Sequence, residues 1–332
     1  MVARAMRDAL APDPMRPLSL GLHLFALENN DVTRATLYQR GMLVFRTLET
    51  VIDRERLDRA LREYYQRFAG KSASIGDFRK ICEEISGRHL GWFFDYFLNR
   101  AQIPEIQIRR TPSAAPNEVS GEIIVRNVPP EFQVRVEMRV ETLSGPAEHS
   151  VATRGEVTPF TITVPQAATR LILDPDQRIL RWTEAARRNR AQRLLLSQLG
   201  NLERAGQFAR AAVICQQSLA LDPENLAANE QQLRLELGRL RYHQGHLAAA
   251  WSEFDKVLAL GSLDSLESDF NRAWSRVYRA RTEKRRGRPG AAHAEARAGL
   301  AANSPALDAP VAWPQTHARE TTAARELQSL AK

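Results

Sequence analysis

The stretch GWFFDYFLNRAQIPEIQIRR, residues Gly91 to Arg110, changes period in its middle. Trp92, Phe93, Tyr96 and Phe97 recur at the three-and-four spacing of a single helical face. Pro104 closes that pattern, and from Glu105 apolar and polar residues alternate, as a half-buried strand requires. One segment therefore carries the chain from helix to sheet, which predicts a multidomain α+β protein rather than an all-helical one.

Working back from this junction, the pattern is helical from about Thr33. LYQRGMLVFRTLETVI places Leu37, Val44, Phe45, Leu48, Val51 and Ile52 at helical spacing. DRERLDRALREYYQRFAG continues with Leu57, Leu61, Tyr64, Tyr65 and Phe68, and Gly70 supplies a stop. SIGDFRKICEEISG adds a short helix with Phe78, Ile81 and Ile85 on one face, ended by Gly87. Working forward, EIQIRR, GEIIVRN, FQVRVEMRVET, TPFTITV and TRLILD alternate, and the clusters TPSAAPNE, NVPPE, LSGPAE and DPDQ read as turns between them. In FQVRVEMRVET the apolar members Phe132, Val134, Val136, Met138 and Val140 share one side. A small antiparallel β-sandwich is expected.

From about Thr183 the helical period returns, and it repeats. AGQFARAAVICQQSLALDPEN, QGHLAAAWSEFDKVLALGSLD and RGRPGAAHAEARAGLAANSP align on Gly206, Gly245 and Gly287. An alanine stands five residues past each glycine (Ala211, Ala250, Ala292), and a leucine thirteen past it (Leu219, Leu258, Leu300). This region, about Asn201 to Pro305, resembles tetratricopeptide (TPR) repeats, in which small residues let paired helices approach. A plain alanine-rich helical bundle is the competing reading. The expected partition is 1–103, 104–182, 183–305 and a C-terminal helix or tail over 306–332.

Composition narrows the function classes. The 332 residues are 43% apolar and carry a net charge of +8. No stretch approaches the roughly 20 continuous apolar positions that span a bilayer, and the opening MVARAMRDALAPDPMRP lacks the apolar core of a secretory signal. The arginine excess is spread along the chain. Its densest clusters, EAARRNRAQR and RTEKRRGRPG, lack interleaved aromatics, so they read as solvated helix faces rather than a nucleic-acid surface. Cys82 and Cys215 belong to no CxxC pair and read as small buried apolar residues. Of the histidines His23, His89, His149, His243, His246, His293 and His317, none forms HExxH, and the close pair His243 and His246 reads as surface turn residues around Gly245. No GxSxG and no phosphate loop after a strand is present.

The order of segments carries a further signal. The run from Leu37 to Ile106 resembles the end of the catalytic domain of M1-family aminopeptidases, zinc enzymes of the gluzincin group. The marks are Tyr38 and Gly41 in a Tyr-x-x-Gly opening a helix, and Tyr65 and Phe68 in the next. Ser74 with Asp77 and Phe78 starts a third, and Trp92, Phe93, Phe94, Phe97, Leu98 and Pro104 close the domain. The family places a β-sandwich and then a helical region after this point, and RLILDPDQRILRW, with its turn at Asp174 and Pro175, resembles the way that sandwich closes in bacterial relatives. The TPR-like repeats depart from the superhelical domain of the better-known members.

By resemblance, Tyr38 donates its hydroxyl to the oxyanion that forms during peptide-bond hydrolysis, and Gly41 permits close helix packing beside it. By residue pattern alone, the reading of Tyr38 as merely the first aromatic of an amphipathic helix is the favoured one. The family's zinc ligands precede the tyrosine, and here the preceding residues contain one histidine, His23, while Glu28 and Asp31 sit in no matching motif. The resemblance thus implies zinc and a peptide substrate for a full-length enzyme, no zinc and no activity for this chain alone, and a localisation set by residues upstream. Three explanations stand: a C-terminal piece of a metallopeptidase, a chain acting in trans with a zinc-bearing one, or a non-catalytic scaffold binding a protein partner on its repeats.

Overall fold

The computed structural model describes residues 2–113, 115, 117–261, 266–302, 304–311 and 321–332. The chain divides into two compact units, Met1–Arg187 and Arg188–Lys332. The protein is mixed α+β, with two antiparallel sheets in the first unit and helices in both.

The first unit opens with α1 (Val2–Ala9), α2 (Leu24–Leu27) and α3 (Asn30–Arg34). A single turn of π-helix, Ala35–Arg40, joins α3 to α4 (Gly41–Ile52), which buries Leu43, Val44, Thr47, Leu48, Val51 and Ile52. Asp53 ends α4 and caps α5 (Arg54–Phe68), its carboxylate accepting from the Arg56 backbone N–H at 2.9 Å. Ser74 and Asp77 form a reciprocal capping box at the start of α6 (Ile75–Ser86), and Gly87, at φ +67°, closes it in the left-handed conformation. α7 (Gly91–Phe94) runs into a second π-turn, Asp95–Asn99. On α5 only Leu57 and Ala60 are buried, and Leu61 and Tyr65 face solvent, so the apolar stripe read from the sequence is wider than the face that packs.

Six strands follow: β1 (Glu105–Thr111), β2 (Glu118–Arg126), β3 (Arg135–Thr142), β4 (Gly145–Ala152), β5 (Val157–Thr163) and β6 (Ala168–Leu173). They form two antiparallel sheets, β1-β2-β5 and β4-β3-β6. The chain changes sheet after β2, returns for β5 and crosses again for β6. β4 was not expected, because Gly145 and Pro146 read as part of a turn; Thr142 pairs with Gly145, so the turn is tighter and the strand starts at once. Gly121 has a packing reason: a Cβ there would lie 2.7 Å from the Arg109 carbonyl oxygen and 2.8 Å from the ring of Phe160, its cross-strand partner.

Val119, Ile123 and Val125 of one sheet and Val136, Met138 and Val140 of the other enter one core with Phe93, Phe94, Tyr96 and Phe97. Phe93 and Phe97 lie 4.7 Å apart between ring centres, and Trp92 meets Phe132 at 5.7 Å. The segments 1–103 and 104–182 therefore share a single core, each buried aromatic contributing about 2–3 kcal/mol of apolar transfer. The segment after β6 is pinned to α4: Leu180 N–H donates to the Thr47 hydroxyl at 2.8 Å, which itself donates to the Leu43 carbonyl.

The second unit is helical, with α8 (Glu184–Leu196) leading into it, then α9 (Leu199–Arg204), α10 (Phe208–Ala220), α11 (Glu230–His243), α12 (Leu247–Ala259), α13 (Leu266–Arg285), α14 (Pro289–Leu300) and α15 (Ala323–Leu330). The aligned glycines occupy equivalent turns: Gly206 joins α9 to α10, Gly245 joins α11 to α12, and Gly287 joins α13 to α14, with φ of +68°, +83° and +73°. In each, the residue after the glycine donates back to the carbonyl five residues earlier: Gln207 to Leu202, His246 to Arg241, Arg288 to Glu283. This is one C-capping device used three times, and it needs a residue that tolerates positive φ. Ala211, Ala250 and Ala292 are buried, while the three aligned leucines are half-buried. The end of the second aligned segment (262–264), residue 303 of the third and part of the expected C-terminal tail (312–320) lie outside the described residues.

Candidate functional site

Tyr38 sits in the middle of the π-turn Ala35–Arg40. Ala35, Thr36 and Arg40 are buried, whereas Tyr38 is 65% exposed. Its hydroxyl has no hydrogen-bond partner among the described residues. It borders an open hollow of about 470 Å³ with Phe25, Asn30, Arg34 and Gln39. Met42 and Phe45 continue the exposed face one and two turns along α4, so the outer face of this helix is apolar and solvent-facing.

The turn is held from beneath by Arg40. Its side chain is 1% exposed and donates to the backbone carbonyls of Arg16 at 2.7 Å and Arg100 at 2.8 Å. Its Nε is buried without a partner. Burial pushes this guanidinium down to about 10, against the opposing effect of nearby Tyr96. Arg16 in turn bonds Glu28 at 2.6 Å, and the Thr33 hydroxyl donates to the Leu24 carbonyl at 3.2 Å, fixing the chain before the turn. Sequence reasoning missed Arg40, yet a signal was available: it falls three and four residues before Leu43 and Val44, on the buried face.

Gly41 differs from its expected role. It is helical, at φ −57° and ψ −46°, and a Cβ built there meets nothing within 4 Å. Close packing within this chain is not the reason for a glycine at this position.

The zinc implied by the resemblance finds no ligand set here. His23 is exposed at the end of a 3-10 turn, Glu28 is paired with Arg16, and Asp31 is exposed on α3. Among the described residues, no group of three or more His, Cys, Asp or Glu is placed to hold a metal ion. His23, Glu28 and Asp31 do not form a set that fits zinc.

The other sequence candidates lie elsewhere. His243 is not a surface turn residue: it ends α11, stacks on Phe208 at 5.2 Å and meets Tyr242 edge-on at 5.5 Å. Burial, with help from Arg239, pushes its pKa down to about 4. His246 is exposed, and His317 lies outside the described residues. Cys82 and Cys215 are free and buried; burial raises the first to about 12 and the second further. Asp174 holds its turn at φ +48°, accepting from the Arg178 and Ile179 backbone N–H groups and from Arg181. No helix among the described residues is long and apolar enough to cross a membrane.

No protein-family model matches the sequence, and no curated protein matches it. Among solved structures, the chain is similar to the aminopeptidase A of Legionella pneumophila, crystallised in complex with aspartic acid. The identity is 11% and the TM-score 0.45, over 92% of this chain and 40% of that one. The chain therefore spans less than half the length of that structure, and a likeness at this level carries no argument for its chemistry.

Proposed function

We propose that the first unit is the C-terminal part of an M1-type peptidase domain, and that Tyr38 supplies a hydrogen-bond donor to the oxyanion formed when the scissile carbonyl is attacked. The reading rests on the sequence marks from Tyr38 to Pro104. The observation that carries it is the placement of Tyr38: a phenol turned out of the core, without an internal partner, beside a hollow and on a rigidly held turn. A core aromatic would be buried. A neutral O–H donor strengthens as negative charge builds on the carbonyl oxygen, which is how such a group favours the transition state over the ground state.

On this reading the activated water and the groups that recognise the substrate's amino terminus come from residues other than those described. The test is the DNA upstream of Met1, read in frame. An HExxH followed by a glutamate on the next helical segment is expected, and an upstream frame without either sinks the proposal. The 332-residue chain assayed alone on aminoacyl p-nitroanilides is expected to show no turnover.

A second reading is favoured by the threefold use of one turn in the second unit. Three consecutive hairpins built on Gly206, Gly245 and Gly287 suit a repeat scaffold that holds a peptide or protein segment. It predicts that residues 188–332 fold cooperatively when expressed alone. A non-cooperative melt of that segment would count against it.

A further inference from the structure

A second hollow of about 450 Å³ lies in the first unit, where the corner between α4 and α5 faces the starts of β3 and the end of β4. Six arginines line it: Arg54, Arg56, Arg88, Arg135, Arg154 and Arg178. Three carboxylates line it as well, and each is already engaged. Glu49 lies 3.3 Å from Arg178 and 3.8 Å from Arg54, Glu137 lies 3.2 Å from Arg178, and Asp53 is paired with Arg56. Arg88, Arg135 and Arg154 are exposed and have no carboxylate within ion-pair distance among the described residues. These three guanidiniums come from separate elements and border a single space; Asp53 balances Arg135 in part from a distance, and six guanidiniums against three carboxylates leave the hollow an excess of positive charge.

Two further features mark the place as built. Asp53 on its wall adopts φ +69° and ψ +161°, a conformation that is close to glycine-only and costs on the order of 1–3 kcal/mol. Its carboxylate is thereby aimed at Arg56, and so both are removed from competition for an incoming anion. A smaller hollow adjoins, sharing Val51, Arg88 and Gln133 and adding His89 and Trp92, which gives an anion's organic part an aromatic-edged space to occupy.

We infer that this hollow is a binding site for a phosphomonoester, gripped by Arg88, Arg135 and Arg154. A carboxylate brings one charge and two oxygens, which one forked guanidinium satisfies. A phosphate monoester brings close to two charges and three acceptor oxygens, which match three guanidiniums that have no carboxylate in ion-pair contact. The volume exceeds that of a bare phosphate and falls within the range of small-molecule pockets. Free phosphate and a phosphorylated metabolite share this chemistry, and the adjoining hollow favours the second.

The test is calorimetric titration of the full 332-residue chain at constant ionic strength with phenyl phosphate, inorganic phosphate and benzoate. Phenyl phosphate is expected to saturate one site, inorganic phosphate to bind the same site more weakly, and benzoate not to saturate. Arg135→Gln and Arg154→Gln are each expected to weaken phenyl phosphate roughly tenfold or more. Arg62→Gln, an exposed position on α5 outside the hollow, is expected to leave it unchanged. Binding is expected to weaken below about pH 6, where the ester loses its second charge. No saturable heat overturns the inference, as does benzoate binding as tightly as phenyl phosphate. An Arg62→Gln loss equal to the others, or full affinity in the Arg135 and Arg154 variants, overturns it too. Because all three side chains are exposed, these substitutions are expected to leave the melting temperature near that of the parent chain.

Discussion

The Arg40 guanidinium donates to the backbone carbonyl of Arg100 at 2.8 Å, across a separation of sixty residues. With its bond to the Arg16 carbonyl, it ties the turn bearing Tyr38 to both the entering loop and the end of the aromatic segment that packs with the two sheets. A buried cation without a carboxylate is costly, and here bonds to two backbone carbonyls offset the cost.

Removing Arg40 should therefore destabilise the first unit. Arg40→Ala is expected to cost about 3 kcal/mol, from two orphaned carbonyls and a cavity where the side chain's stem packed. Arg40→Met keeps the volume and removes the buried charge, so it should cost less. Urea unfolding followed by the near-ultraviolet signal of the aromatic cluster would check the order, and equal costs for Ala and Met would mean that the carbonyl bonds dominate over volume.

Two helical glycines should respond oppositely to alanine. At Gly41 the added methyl meets nothing within 4 Å, so Gly41→Ala should stabilise the chain by about 0.4–1 kcal/mol through the lost flexibility of the unfolded state. At Gly238, inside α11, the same methyl would lie 2.5 Å from the ring of Phe254 on α12. There the overpacking cost of about 1–3 kcal/mol should exceed the gain in helix propensity, and Gly238→Ala should lower the melting temperature.

The second unit contains a buried ionic cluster in which Arg239 donates to Glu203 at 2.8 Å and to Glu236 at 2.6 Å. Burial acts to discharge Arg239, and the two carboxylates outweigh it and hold the guanidinium charged. Arg239→Ala should destabilise this unit by about 3–5 kcal/mol, because two carboxylates are left buried together. The double change Glu203→Gln with Arg239→Ala should recover part of that loss in a thermal melt.

Such residues explain where sequence reading stopped. The alternation of FQVRVEMRVET and the spacing of Trp92, Phe93, Tyr96 and Phe97 are set by which side chains must leave water, so helices, antiparallel strands and helices were legible in order. The Gly206, Gly245 and Gly287 turns were legible because positive φ selects glycine. Arg40 and Arg239 were not: a buried arginine depends on carbonyls or carboxylates brought in from distant segments, and periodicity does not encode them. β4 was hidden by Gly145 and Pro146, and His243 was misplaced because a turn glycine two residues on suggested solvent.

His243 gives the second unit a pH dependence. The folded protein disfavours the charged ring, with a pKa of about 4, whereas the unfolded chain protonates it near 6.5. At neutral pH both states are uncharged and nothing is lost. As the pH falls from 6.5 toward 4 the unfolded state alone gains the proton, so stability declines through that window. The expected loss is about 1–2 kcal/mol once screening of a partly exposed ring is allowed for. His243→Phe should flatten this part of the profile of melting temperature against pH while keeping the stack on Phe208.

Tyr38→Phe separates the two roles of the ring. The hydroxyl has no partner among the described residues and the side chain is 65% exposed, so stability should change by less than about 0.5 kcal/mol. On the proposed peptidase reading, loss of this oxyanion donor is expected to lower kcat of an active enzyme carrying it by roughly 100-fold or more while KM changes little, because the donor acts mainly on the charged transition state. A substitution that instead raises KM and spares kcat would make Tyr38 a substrate-packing aromatic. One that unfolds the protein would return it to the core, against its exposure in the fold.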